Sequence, residues 1–241
     1  IDAFAEGPFQ GNPAAVCPLP EWLPDSLLQA IAEENNLAET AFYVREGNEV
    51  HLRWFTPTTE VDLCGHATLA AAHVYLDRSG DSLATVTFQS RSGALSVLRE
   101  EDGRLTLKFP AQPGSPAKVP AALIKGLGGA EPIAYVRAED HMAVFENEES
   151  IRALQPDFRA LQDLDLRGVI ATAPGDEVDF VSRFFAPNFG IDEDPVTGSA
   201  QCMLTPYWAG RLNRITMQAR QLSKRVGNLR CQLEGDRVLI S

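Results

Sequence analysis

No hydrophobic run in this chain is long enough to cross a bilayer, and the most apolar stretch, Leu69 to Leu76, is interrupted by His73. Basic runs are also missing. Lys224-Arg225 stands alone in a chain of net charge −12, so nucleic acids and anionic membranes are excluded as expected partners. There is no C-x-x-C: Cys17, Cys64, Cys202 and Cys231 are widely spaced, which predicts reduced thiols in a cytoplasmic protein rather than a disulfide framework. The absence of G-x-G-x-x-G and of a Walker sequence argues against a nucleotide cofactor. No zinc signature is present, and Cys64-x-His66 at a helix start is poor chelate geometry, so no metal is expected. Ser199 lies outside any G-x-S-x-G elbow, which weakens a serine-hydrolase reading. No secretory leader is visible. The chain opens at Ile1 without a Met and closes at Ser241 straight after Val238-Leu239-Ile240, so residues beyond both ends are expected.

What is present suits one large domain or two modest ones: 241 residues, 44% of them hydrophobic. Pro110-Ala111-Gln112-Pro113-Gly114-Ser115-Pro116 excludes helix and central strand near the midpoint. It predicts domains at 1–112 and 113–241, with the last strand free to return to the first. In the first half, Leu27, Leu28, Ile31 and Ala32 share a helical face that ends at Asn35-Asn36. Strands are expected over 40–44, 50–55, 85–88, 94–98 and 105–109. Ala67 to Leu76 reads as a helix that is apolar nearly all round, and such a helix is buried at the centre of a domain. Beyond the linker the order broadly recurs, with strands near 133, 144, 169–172 and 178–184, a helical patch from Ser150 and a second Gly-led helix from Ser199 through Trp208. The expected class is α/β (α+β), with two similar halves, each a curved sheet around one apolar helix.

Those two helices open on similar segments, Asp62-Leu63-Cys64-Gly65-His66-Ala67-Thr68-Leu69 and Asp194-Pro195-Val196-Thr197-Gly198-Ser199-Ala200-Gln201. A helix start leaves backbone N–H groups and a positive dipole end, which together attract an anion. Two of them facing one cleft would clamp a small acidic molecule beside His66, Asp194 and Ser199. Each is also, read alone, an ordinary Gly-punctuated helix start. Glu39 leads into an apolar strand, where a carboxylate is out of place unless it is paired or used; a turn-anchoring role is the plainer alternative. Asp194, before Pro195, is held extended and suits either a ligand role or an N-terminal anchor. His66 in a first helical turn is expected to be neutral, because the dipole disfavours imidazolium.

Five segments together resemble the PhzF-like isomerases, phenazine-biosynthesis relatives of the diaminopimelate epimerase fold. They are Phe9-Gln10-Gly11-Asn12-Pro13-Ala14-Ala15-Val16-Cys17, Asn36-Leu37-Ala38-Glu39-Thr40-Ala41-Phe42, Arg53-Trp54-Phe55-Thr56-Pro57, Leu63-Cys64-Gly65-His66-Ala67-Thr68 and Asp194-Pro195-Val196-Thr197-Gly198-Ser199-Ala200. The resemblance spans nearly the whole chain. It implies two barrel-like domains with a cleft between them and a cofactor-free, metal-free homodimer. By motif, it implies Glu39 as general acid/base, Asp194 as its partner acid, and His66 and Ser199 as groups that contact substrate. It further implies a carboxylic-acid substrate bound by Gly65, Gly198, Ala67 and Asn12. One departure concerns thiols. Cys64 stands where the related epimerases carry one of two catalytic cysteines, but the matching place in the second half is Thr197. That disfavours a two-thiol amino-acid epimerase and makes Cys64 a small packing residue, with a one-thiol epimerase and a non-catalytic carboxylate binder as the alternatives.

Overall fold

A computed structural model describes residues 1–78, 84–164 and 166–241. The chain divides into two compact units, residues 1–108 with 239–241, and residues 109–238. The first unit carries β1 (Asp2–Ala3), β2 (Asn12–Leu19), α1 (Asp25–Asn35), β3 (Glu39–Glu46), β4 (Glu49–Phe55), β5 (Glu60–Val61), α2 (Gly65–Arg78), β6 (Thr85–Ser90) and β7 (Gly93–Arg99). The strand β8 (Leu105–Pro110) runs across the division. The strand order is β1-β2-β3-β4-β6-β7-β8, with β5 paired to β4. Along it β2 and β3 are parallel, β3 and β4 antiparallel, β4 and β6 parallel, and β6 and β7 antiparallel.

In α2 the positions Gly65 to Ala72 are all buried, and Leu76 with them. Ala67, Ala70, Ala71 and Ala72 place only methyl groups on that surface, so the helix can approach the strands closely. The helix α1 stops where Asn36 takes a left-handed conformation (φ 47°) and its N–H returns to the carbonyls of Ala32 and Glu33. That stop delivers the chain, three residues later, to Glu39 at the head of β3.

The second unit carries β9 (Ser115–Pro116), α3 (Ala121–Gly126), β10 (Ala134–Arg137), β11 (His141–Val144), α4 (Glu148–Ala153), α5 (Phe158–Gln162), β12 (Val169–Pro174) and β13 (Phe180–Phe185). After these come α6 (Gln201–Leu212), β14 (Thr216–Gln221) and β15 (Gly227–Glu234), and β16 (Arg237–Ile240) crosses the second division. Strand order here is β15-β14-β13-β12-β11-β10-β9. The ladder from β11 to β15 is parallel, antiparallel, parallel, antiparallel, the same alternation as from β2 to β7. In both units the main helix follows the third strand of that series. The core is anchored by Trp208 of α6, which lies stacked on Phe180 (centroids 5.7 Å apart) and donates from its indole N–H to Thr172 Oγ1 at 3.0 Å.

The sequence reading started this second helix at Ser199, but α6 begins at Gln201. Residues 198–200 form a tighter turn, with Gln201 N–H bonded to Gly198 O and Cys202 N–H to Ser199 O. Pro206 sits inside α6 and cannot donate to the carbonyl of Cys202, one turn back. That carbonyl accepts instead from the backbone N–H of Gln112 at 2.8 Å.

Candidate active site

In the first unit Glu39, Cys64 and His66 form one buried group. Strand β2 runs parallel to β3 with Ala14 opposite Glu39, and this sets the carboxylate near the start of α2. Glu39 Oε2 lies 3.2 Å from His66 Nε2, with the side chains only 12% and 6% exposed. On the other edge of the imidazole, Cys64 Sγ lies 3.5 Å from Nδ1. Thr68 fixes the residue before the helix, donating from both its N–H (3.2 Å) and its hydroxyl (2.5 Å) to the Cys64 carbonyl. Burial pushes the Cys64 thiol pKa up, and the Glu39 charge adds to that. Burial also disfavours imidazolium at His66, yet the acidic groups flanking it outweigh that and hold its pKa well above the ordinary value. A neutral His66, expected from the helix dipole alone, is therefore not what the surroundings favour, because the dipole argument left out Cys64 and Glu39 on either side of the ring.

Asn12 opens β2 and is fully buried. It is placed by Gly11, whose φ of 69° and closeness to the Ala3 carbonyl (2.1 Å from where a Cβ would stand) admit no side chain. Gly65 and Ala67 occupy the first turn of α2, where amide N–H groups lack partners within the helix.

The second unit builds a separate group. Asp194 is buried and accepts at Oδ2 from the Thr197 hydroxyl at 2.5 Å. Gln221, at the end of β14 and fully buried, clamps this segment. Its amide donates to the Asp194 carbonyl (2.7 Å) and to Thr197 Oγ1 (3.2 Å), and its Oε1 accepts from the Thr197 N–H (2.9 Å). One of the amides expected to face an anion is therefore already taken. Gly198 lies in the turn before α6. Ser199 Oγ accepts from Arg167 Nη1 at 3.4 Å, and Arg167 pairs with Asp140. Asp140 is 4% exposed at its side chain, and burial raises its pKa to about 6 against the lowering effect of Arg167.

Sequence reasoning named neither Gln221 nor Arg167, which reach the motif from 24 and 32 residues away, nor Asp140, which pairs with Arg167. The structure brings Glu39 and His66 together, and joins Cys64 to them through His66 rather than leaving it as plain packing. Among the described residues, these three are the group of metal-ligating side chains whose ligand atoms converge, within 4.8 Å of one another.

The family model for the phenazine biosynthesis-like proteins (PhzC-PhzF) matches residues 1–240. The chain belongs to the PhzF-like family. An uncharacterized isomerase of Pseudomonas aeruginosa is 52% identical over 241 residues, covering all of this chain and 92% of that protein. The crystal structure of a PhzF-family protein from Enterococcus faecalis superposes with a TM-score of 0.95 at 48% identity, over 99% of this chain and 92% of that one. More distantly, a hydroxyproline epimerase from Agrobacterium vitis shares the fold alone, with a TM-score of 0.55 at 10% identity over 85% of this chain and 71% of that one. The PhzF-like fold thus extends to the epimerase architecture, and an isomerase is what its similar relatives are named.

Proposed function

We propose that this PhzF-like chain is a cofactor-independent isomerase that moves a proton on a small cyclic or conjugated carboxylic acid, with Glu39 as the general acid/base. The observation that carries this reading is the buried Glu39 carboxylate 3.2 Å from His66 Nε2, beside the first turn of α2. A carboxylate removes a proton from an activated carbon, the electron pair spreads into the conjugated acid, and a proton that has exchanged with solvent is delivered at another carbon. Nothing is oxidised or reduced. The helix amides and His66 stabilise the negative charge that develops. Asp194 and Ser199 complete substrate contact, Asp194 oriented by Thr197 and Gln221. The reading includes a homodimer working in the cytoplasm, in keeping with the four free thiols.

A screen of cyclic and aromatic carboxylic acids in heavy water, read by mass spectrometry, tests it. Deuterium uptake by at least one acid is expected, and its abolition in a folded Glu39→Gln variant. A fully active Gln variant would overturn the assignment.

A second reading, a one-thiol epimerase, has the position of Cys64 in its favour. Burial opposes the thiolate it needs. Loss of turnover in Cys64→Ala, with Glu39→Gln unaffected, would select it. Binding of an acid without any exchange would instead select a carboxylate-binding protein.

A further inference from the structure

Strands β11 and β12 run parallel with His141 opposite Val169, and the His141 N–H donates to the Gly168 carbonyl at 3.0 Å. That register sets Asp140 and Arg167, which lie just ahead of the two strands, side by side. Gly168 admits no side chain, since the Phe184 ring reaches to 2.2 Å from where its Cβ would stand. The segment lies against that ring, and the Arg167 guanidinium carbon is 5.8 Å from the ring centre. From there the fork reaches two partners. Nη2 pairs with the buried Asp140 carboxylate, while Nη1 and Nη2 lie 3.4 and 3.5 Å from Ser199 Oγ. Nε faces the exposed Glu139 carboxylate at 3.4 Å.

A guanidinium carries donors only, so Ser199 Oγ is the acceptor in both contacts. Its hydroxyl hydrogen then points away from Arg167, and among the described residues no acceptor takes it. We propose that Arg167, held by Asp140, is a positioning residue that sets the Ser199 hydroxyl as a hydrogen-bond donor to the carboxylate of the bound acid. The inference rests on the isomerase reading, in which Ser199 touches that acid. Asp140 and Glu139 offset the guanidinium charge, so Arg167 acts through the hydroxyl rather than as a rival cation. A lysine could supply the charge but not the planar fork that holds both partners at once.

A double-mutant cycle between Arg167 and Ser199 tests this, with benzoate as the probe and calorimetry on the whole chain as the measurement. Ser199→Ala is expected to weaken benzoate binding about 10- to 100-fold, the range for a hydrogen bond to a charged group. Arg167→Lys keeps a cation beside Asp140 but loses the fork, and should weaken binding about 3- to 10-fold. The double variant should bind no worse than Ser199→Ala, because Arg167 acts only through that hydroxyl. Losses that multiply in the double variant would overturn the inference, as would unchanged binding in Arg167→Lys. Circular dichroism establishes that each variant is folded. Should Arg167→Lys fail to fold, Arg167→Gln combined with Asp140→Asn repeats the cycle without leaving a buried carboxylate unpaired. With any acid found by the heavy-water screen, KM for deuterium uptake should follow the same pattern while kcat changes less. Uptake whose KM is unmoved by Arg167→Lys ends only this inference. A coupled cycle with benzoate, but no uptake on any acid, ends only the isomerase. Wild-type protein that binds neither benzoate nor any screened acid ends both.

Discussion

The side-chain amide of Gln221 donates to the backbone carbonyl of Asp194 at 2.7 Å, across 27 residues of sequence. Its oxygen takes the Thr197 amide as well, so one buried side chain holds both ends of the turn before α6. Replacing Gln221 with Leu strips partners from a buried carbonyl and a buried N–H, each costing about 1–3 kcal/mol. Chemical denaturation should therefore show a loss of about 2–4 kcal/mol. Isomerase activity should fall by more than the folded fraction does, because Asp194 loses its support.

Asp140 gives the second unit a pH dependence. Its pKa in the fold, about 6, lies above that of an unfolded aspartate, so the native state binds the proton more tightly. Stability contributed by this group is full below about pH 4 and is lost as pH rises through about 6. Over that window it amounts to roughly 2–3 kcal/mol. Asp140→Asn should remove this slope, which urea unfolding at a series of pH values would reveal as a difference between the two proteins. An identical slope in both would contradict the burial argument.

Gly11 cannot become alanine without moving the chain. A Cβ there would stand 2.1 Å from the Ala3 carbonyl oxygen, on a backbone with φ of 69°. Gly11→Ala is expected to cost more than about 1 kcal/mol and to shift Asn12. A lowered thermal midpoint, with deuterium uptake impaired in the folded protein, is the measurable outcome.

Thr172→Val keeps the shape but removes the acceptor of the Trp208 indole N–H. A buried donor without a partner costs about 1–3 kcal/mol, which denaturant titration can read directly. Trp208 fluorescence, with the ring still stacked on Phe180, should stay native-like below the transition.

How much of this was visible in the sequence depends on how far apart the partners lie. The apolar helix at 65–78 declares itself through its composition and periodicity, while the proline-rich stretch at 110–116, read as free of central strand, holds the end of β8 and all of β9. Glu39 stood out as a charge entering an apolar strand. Gln221, Asp140 and Arg167 did not, because polar residues in ordinary strand and loop settings carry no local signal; only folding brings them to the Asp194 segment and Ser199. The neighbours of Cys64 were hidden for a different reason. Spacing alone showed two residues on a helix start, and the carboxylate 25 positions earlier that turns the pair into a cluster was invisible. The ladder directions were equally hidden, since strand residues look the same whether their neighbour runs with them or against them.

The repeated alternation of strand directions has a chemical consequence. One wiring plan is executed twice, yet a sulfur precedes the glycine of the first copy and an alcohol that of the second. The alcohol is spent on steadying a neighbouring acid, while the sulfur keeps company with an imidazole. A frame wired the same way twice thus carries an asymmetric pair of groups, one half a carboxylate beside an imidazole and a thiol, the other a braced acid.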